Sequence, residues 1–106
     1  MKLLSRIEEI LLIAIWRLMD NAYGVTIREE ISRLTGHDWT LGAVYVPLDK
    51  LTRKGLLRKE TSDPIPERGG RSRCLYKLTK QGRASLREIR DVSRAIWDGI
   101  PDTALE

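Results

Sequence analysis

The chain contains 106 residues, of which 42% are hydrophobic and 32% are charged, and its formal net charge at pH 7 is +4. This length predicts a single domain with a modest core, and the positive balance suits a nucleic acid or another anionic partner. One cysteine excludes an internal disulfide. The longest apolar run, Ile10 to Trp16, is much shorter than the roughly 20 residues that cross a membrane, and charged residues interrupt any secretory leader, so we expect a cytoplasmic protein.

The first predicted helix opens at Ser5, which has the spacing of a capping box with Glu8. Its apolar side comprises Leu4, Ile7, Leu11, Ala14, Ile15 and Leu18, and its other sides carry Ile10, Leu12, Ile13 and Trp16. A helix that is apolar on every side must be covered on every side, which a small domain does not achieve alone. We therefore expect a partner subunit over residues 1–20.

Two further helices are joined by a short turn. Thr26 and Glu29 have capping-box spacing, and Gly36 has the position of a residue that ends a helix. Shortly afterwards, Thr40 is a good N-cap for a third helix. The apolar side of this third helix comprises Leu41, Val44, Leu48 and Leu51. Two helices connected so closely predict a helix-turn-helix.

The outward side of the third helix is small and nearly uncharged at its start and basic further on. It comprises Gly42, Ala43, Val46, Asp49, Lys50 and Arg53. A helix that enters a DNA major groove needs small residues first and cations further along for phosphates. Together with Thr40, the small residues are predicted to face bases, and Lys50 and Arg53 to contact phosphates. The alternative is an ordinary solvated helix face.

Gly55 ends this helix, and strands are predicted from Leu56 to Thr61 and from Cys74 to Thr79. The prolines and adjacent glycines between them predict a hairpin with a long tip, or wing. From Arg68 to Arg83 there are six Lys or Arg and no acid. The wing residues predicted to follow the DNA backbone or enter a minor groove are Arg68, Gly70, Arg71 and Arg73. The alternative for them is a solvated loop.

A last helix is predicted from the Thr79 cap to about Ile100. Its apolar positions are Leu86, Ile89, Ile96 and Ile100, with Ser93 in the vacant place. Intervals of three and four residues are typical of a coiled-coil seam. Because little of the domain remains for this helix to pack on, we expect residues 80–100 to form a dimer interface together with residues 1–20.

The chain resembles the PadR family of winged-helix transcriptional regulators, in its branch with a short last helix. The matching segments, in the family's order, are residues 22–27 (AYGVTI), 41–45 (LGAVY), 48–51 (LDKL), 54–56 (KGL), 67–71 (ERGGR) and 76–83 (YKLTKQGR). The chain departs from the family where Val46 separates Tyr45 from Pro47, since the family usually has proline directly after this tyrosine. It also departs at Cys74, where the family often has a basic or aromatic residue.

The elements and the resemblance together predict an α+β winged helix-turn-helix of order α-α-α-β-β-α, with a C-terminal dimerisation helix, in one domain over residues 1–106. The resemblance implies a homodimeric repressor that binds double-stranded DNA at a pseudo-palindromic operator and is often relieved by a small hydrophobic or aromatic effector. A winged helix that contacts proteins and does not bind DNA is the alternative.

Four aromatic residues acquire roles from the resemblance. Tyr45 is predicted to contact a phosphate; the alternative is that it packs beneath the helix. Tyr23 is predicted to lie near the DNA; the alternative is a position in the core. Trp97 matches an aromatic residue that lines a pore between subunits, where flat molecules stack; otherwise it packs at the dimer seam. Trp16 lines the same cavity or belongs to the core.

No pattern of catalytic or metal-ligating residues accompanies these features. His37 is the only histidine and Cys74 the only cysteine, so the chain has no ligand pair at metal spacing. No nucleophile has a base at a suitable spacing either. We therefore predict no enzymatic activity, metal or cofactor, and we expect Cys74 to be a small buried strand residue.

Overall fold

The computed structural model describes residues 2–61 and 74–106. Its elements are, in chain order, α1 (Arg6–Leu18), a 3₁₀ turn (Met19–Asn21), α2 (Gly24–Thr35), α3 (Leu41–Arg53), β1 (Leu57–Thr61), β2 (Cys74–Leu78), α4 (Lys80–Trp97) and a second 3₁₀ turn (Asp102–Leu105). The predicted order α-α-α-β-β-α is confirmed. The predicted wing contacts Arg68, Gly70, Arg71 and Arg73 lie outside the described residues.

Helix α1 begins with the predicted capping box. The Ser5 hydroxyl accepts a hydrogen bond from the Glu8 backbone N–H at 3.3 Å, and the Glu8 carboxylate accepts one from the Ser5 N–H at 2.8 Å. Leu12 is fully buried, whereas Ile13 and Trp16 are 39% and 58% exposed. The domain therefore covers more of α1 than the sequence predicts and leaves one apolar strip open.

Helix α2 begins at Gly24, with Tyr23 as its N-cap, three residues earlier than the predicted Thr26 cap implies. Thr26 lies in its first turn, where its hydroxyl accepts from the Tyr23 backbone N–H at 3.0 Å. Thr26 thus plays the part in the capping box that was predicted for Glu29, because its short side chain folds back on the preceding turn. Gly36 ends the helix with a φ of 73°, as predicted.

Helix α3 packs into the domain core through three side chains without exposed area, those of Val44, Leu48 and Leu51. Leu41, the first residue of α3, is 42% exposed, so its predicted place on the buried side is wrong. The buried side of α3 begins one turn later, at Val44. Gly55 follows the helix with a φ of 81°, which confirms its predicted role as the terminating residue.

Strands β1 and β2 pair antiparallel, from Leu57 opposite Leu78 to Thr61 opposite Cys74. Tyr76 of β2 is 2% exposed, and its backbone N–H donates to the Ala22 carbonyl oxygen at 2.8 Å. This bond attaches the sheet to the segment before α2. Cys74 is exposed rather than buried as predicted, because it is the first residue of β2, at the wing end of the hairpin.

Helix α4 ends at Trp97, before the predicted end at Ile100. Gly99 adopts a φ of 79°, which breaks the helical course of the backbone. Leu86 packs against the domain core, whereas Ile96 and Ile100 are 68% and 48% exposed. The apolar side predicted for this helix therefore packs on the core at Leu86 and is exposed to solvent at Ile96 and Ile100.

An ion pair joins α1 to the C-terminal end of α3. Glu8 is 8% exposed, and its carboxylate accepts a hydrogen bond from the Lys54 ammonium at 2.7 Å. Burial by itself raises the pKa of the Glu8 carboxyl, but the hydrogen bonds from Lys54 and Ser5 outweigh burial and hold that pKa below its usual 4.5. The ionised form of Glu8 is therefore the form that stabilises the fold.

We expect Glu8→Gln to lower the free energy of unfolding by about 1–2 kcal/mol near neutral pH, because Lys54 loses its charged partner. Since the folded-state pKa is lowered, this contribution is present above the ordinary carboxyl pKa of 4.5 and disappears as the pH falls through the folded-state value. Urea denaturation across that range measures it. Glu29→Gln, at an exposed acid of α2, is the control and should change stability by less than about 0.5 kcal/mol. A loss for Glu8→Gln that does not depend on pH would contradict the assignment.

Candidate nucleic-acid interface

The outward side of α3 is open to solvent in the described structure. All six residues predicted for this side are exposed, namely Gly42, Ala43, Val46, Asp49, Lys50 and Arg53. Val46 is 70% exposed, and a Cβ added to Gly42 would meet no atom within 4 Å. The first two turns of α3 therefore present a low surface, and within residues 2–61 and 74–106 no side chain covers Gly42.

Thr40 at the start of α3 and Pro47 in its middle each affect the backbone hydrogen bonding of the helix. The Thr40 hydroxyl accepts from the Ala43 N–H at 3.1 Å, which confirms the predicted N-cap, and Thr40 itself is exposed. Pro47 lies inside the helix, where it has no N–H to offer the Ala43 carbonyl oxygen. The helix nevertheless continues through Pro47 to Arg53, so the small turns and the basic turn belong to one element.

Tyr45 reaches from α3 to the first turn of α2. A Cβ added to Gly24 would lie 1.9 Å from the Tyr45 hydroxyl oxygen and 2.4 Å from the ring carbon that carries it. The tyrosine therefore fills the space that any side chain at position 24 would need, while 40% of its own surface stays exposed. Its hydroxyl lies at the N-terminal end of α2, the positive end of the helix dipole, which favours an anion. Tyr45 thus both packs against a neighbouring helix and remains accessible to a ligand.

Tyr23 lies next to this contact along the chain. It directly precedes α2 and forms an isolated β-bridge with Leu75 of β2. Its side chain is half-buried, so Tyr23 is neither a full core residue nor freely solvated. Tyr23 and Tyr45 therefore belong to the same end of α2.

The single acidic residue on the outward side of α3 is paired. Asp49 accepts from the Lys59 ammonium of β1 at 3.3 Å, and the same ammonium lies 5.8 Å from the centre of the Tyr76 ring. Among the described residues, Lys50 and Arg53 form no ion pair and are exposed. The outward side of α3 therefore becomes electropositive towards its C-terminal end.

A second surface is a cavity of about 610 Å³ between α1 and α4. Trp16 and Trp97 both line it and are 58% and 50% exposed. The interpretation of Trp16 as a core residue is therefore wrong, because the open strip of α1 includes its indole. Within one chain, Trp16 and Trp97 line the same cavity, and the predicted pore between two subunits stays a prediction.

The cavity also has a basic wall that was not among the predicted site residues. It consists of Arg83, Arg87, Arg90 and Arg94 of α4. Their intervals of four, three and four residues place them on one side of a helix. The periodicity of the cations, read separately from that of the apolar residues, was the signal that could have identified them.

Neither a metal centre nor a membrane span emerges from the described ranges 2–61 and 74–106. No group of three His, Cys, Asp or Glu side chains in them could hold a metal ion. No helix in them is both long and apolar enough to cross a bilayer.

Residues 11–88 match the model of the transcriptional regulator PadR-like family. The matched range extends from α1 through the first half of α4 and includes the whole of α3. No curated protein sequence matches the chain.

Solved structures show the same fold. A PadR family transcription regulator from Clostridium difficile R20291 has 24% identity and a TM-score of 0.68, over 93% of this chain and 98% of that one. A PadR family regulator from Eggerthella lenta DSM 2243 has 24% identity and a TM-score of 0.70, over 95% and 85% of the two chains. RosR from H. salinarum has 23% identity and a TM-score of 0.71, over 93% and 82%. These similarities confirm the winged-helix architecture.

We expect Gly24→Ala to lower the free energy of unfolding by about 1–3 kcal/mol, because the added methyl group displaces Tyr45. Combining it with Tyr45→Ala should remove most of that loss, and a double-mutant cycle by urea denaturation measures the coupling. Gly42→Ala is the matched control; with open space around the new methyl group, it should leave stability unchanged or raise it by up to about 1 kcal/mol. Strict additivity of the Gly24 and Tyr45 effects would show that the two residues do not touch.

Proposed function

The chain belongs to the PadR-like family of transcriptional regulators, and from this premise we propose that it is a homodimeric repressor that binds a pseudo-palindromic DNA operator. The observation that carries the proposal is the exposed outward side of α3, with small residues first and Lys50 and Arg53 further on. The family is one of regulators, and we propose no enzymatic activity for this member.

The N-terminal turns of α3 are proposed to enter the major groove. Gly42 and Ala43 allow the helix backbone to approach the base edges closely, because neither carries a side chain beyond Cβ. Val46 can contact a thymine methyl group, and the exposed Thr40 hydroxyl can contact base edges or phosphate. Sequence preference would come from these few contacts.

Phosphate contacts are proposed to fix the position of α3 on the duplex. Lys50 and Arg53 follow the small turns by one to three helical turns and can reach the flanking backbone. The Tyr45 hydroxyl and Tyr23, at the N-terminal end of α2, are proposed to contact a phosphate where the α2 N–H groups also favour negative charge. The wing residues Arg68, Gly70, Arg71 and Arg73 are proposed to track the backbone or a minor groove, on the sequence pattern alone.

A symmetric dimer would cover the apolar surface that the described chain leaves open. This surface includes Ile13 and Trp16 on α1, and Ile96, Trp97 and Ile100 at or beyond the end of α4. We propose that residues 1–20 and 80–100 form the interface, since burial of such surface favours association. The two copies of α3 would then lie about 34 Å apart, so that they meet successive major grooves on one side of the duplex.

Repression is proposed to follow from occupation of a promoter, and relief of repression from a small aromatic effector between Trp16 and Trp97. Indole rings on two different helices can stack on a planar ligand. Because both helices belong to the proposed interface, a ligand that favours one arrangement of α1 and α4 would change the spacing of the two α3 helices.

We expect Gly42→Glu to weaken operator binding by more than about 100-fold, because it adds bulk and a negative charge where α3 meets the groove. Gel-shift titration on a site recovered by binding-site selection measures this. Thr103→Glu adds the same charge at an exposed residue of the second 3₁₀ turn, outside α3 and the proposed interface, and should retain nearly full affinity. Lys50→Gln should weaken binding on all sequences and lower the salt-dependence slope by about one. If Gly42→Glu and the parent had equal operator affinity, α3 would not enter the major groove. That result would favour a winged helix that binds proteins.

We expect Ile96→Glu to shift the protein from dimer to monomer, because it places a charge in the proposed apolar interface. Leu105→Glu is a closely matched control, since Leu105 is 69% exposed and Ile96 is 68% exposed, but only Ile96 belongs to the proposed interface. Sedimentation equilibrium of the two variants and the parent gives the association constants. A parent protein that is monomeric at micromolar concentration would refute the dimer.

A further inference from the structure

Residues 54–56 directly follow α3 and form a junction with α1 and α4, the two helices of the proposed dimer interface. We propose that this junction sets the half-site spacing that the dimer accepts in its operator, by fixing the angle of α3 relative to α1 and α4. The inference rests on the proposed homodimeric function and adds a role that this function does not assign. Glu8, Lys54 and Thr79 are positioning residues in it, since they act through the angle of α3.

The first residue of the junction binds α1. The Lys54 ammonium donates to one oxygen of the Glu8 carboxylate at 2.7 Å, and Glu8 is only 8% exposed. The other carboxylate oxygen accepts from the Ser5 N–H at 2.8 Å, which fixes the orientation of the carboxylate. Because a buried charge without its partner is costly, Lys54 has one strongly preferred position. The end of α3 is therefore held at one place along α1.

The second and third residues of the junction bind the start of α4. The Thr79 hydroxyl donates to the Gly55 carbonyl oxygen at 2.6 Å and accepts from the Gly82 N–H at 3.0 Å. The Thr79 N–H donates to the Leu56 carbonyl oxygen at 3.1 Å. A Cβ added to Gly82 would lie 2.2 Å from that same oxygen, so α4 packs directly on the junction backbone. Three consecutive residues thus connect the end of α3 to both interface helices.

The length of α3 converts a small change of angle at the junction into a large displacement at the groove. At about 1.5 Å per residue, about 18 Å of helix separates Lys54 from Gly42. A tilt of about 5° along the duplex then moves Gly42 by about 1.6 Å, and two-fold symmetry changes the separation of the two copies by about 3 Å. One base pair occupies about 3.4 Å of duplex. A tilt of this size is therefore enough to change the preferred spacing by one base pair.

An ion pair elsewhere on α1 provides a matched control. Arg17 of α1 contacts Glu30 of α2 at 3.1 Å, and the Glu30 side chain is 13% exposed, against 10% for Glu8. Both glutamates thus connect α1 to another helix through a poorly exposed carboxylate. Only Glu8 contacts the junction, so the two substitutions to glutamine separate a change of α3 angle from a general loss of stability.

Gel-shift titration on a set of palindromes tests the proposal. The set carries the spacing recovered by binding-site selection and spacings one base pair shorter and longer. We expect the parent to prefer the recovered spacing by about tenfold or more. Glu8→Gln keeps an acceptor for the Ser5 N–H but removes the charged partner of Lys54. It should reduce the preference to about threefold or less, or move the optimum by one base pair. Glu30→Gln should keep the preference of the parent.

A second pair of variants addresses the contact with α4. Thr79→Val removes the hydroxyl and should reduce the spacing preference as Glu8→Gln does, whereas Thr79→Ser keeps the hydroxyl and should restore it. A base change within one half-site should weaken binding by the same factor in every variant, because the outward side of α3 is untouched. Thermal denaturation checks that each variant is folded. If Glu30→Gln loses the spacing preference as well, the effect is general destabilisation and the proposal fails.

A measurement without DNA separates this inference from the function on which it rests. Val46→Cys in a Cys74→Ser background places one spin label on the exposed side of each α3, and double electron–electron resonance gives the distance between the two copies. We expect Glu8→Gln to shift or broaden this distance by about 3 Å or more. An unchanged distance in Glu8→Gln would overturn the inference and leave operator binding intact. A changed distance in a protein that binds no operator would refute the regulator proposal alone.

Discussion

The position of α3 depends on three side chains of one helix side, Val44, Leu48 and Leu51, which have no exposed area. Burial of each such side chain contributes about 1.5–3 kcal/mol, so rotation of α3 about its own axis would cost several kcal/mol. Because the helix cannot rotate, the side opposite these residues must face solvent. The outward surface of small residues is therefore a consequence of how the inward side is buried.

Two further contacts hold α3 near its ends, and each requires a particular residue on another helix. Tyr45 lies over Gly24 at the start of α2, where a Cβ would collide with the tyrosine hydroxyl. Lys54, just after the end of α3, donates to the Glu8 carboxylate of α1 at 2.7 Å. Under the proposed function, α3 presents its start to a duplex, and these contacts would give it the defined orientation that discrimination between bases requires.

Helix α1 serves two surfaces with adjacent residues. Glu8 points to the end of α3, whereas Glu9, together with Ile13 and Trp16, lines the cavity shared with α4. The excess of apolar residues on α1 therefore has two causes, namely the domain core and the open cavity. The sequence shows that α1 has more apolar residues than one buried side needs. It does not show which of them face the core and which face the cavity, because the apolar residues of a helix do not indicate which neighbour covers them.

The sequence by itself determined the order of the elements, the Ser5 and Thr40 caps, the terminating residues Gly36 and Gly55, and the outward side of α3. These features depend on residues within one or two helical turns, which a linear pattern records. The tertiary structure alone decided that Tyr45 occupies the space beside Gly24, that Glu8 meets Lys54 from 46 positions away, and that Trp16, Trp97 and the α4 arginines share one cavity. Such contacts depend on the distance and angle between elements that are remote in the chain, and these are set by packing of the core rather than by local spacing.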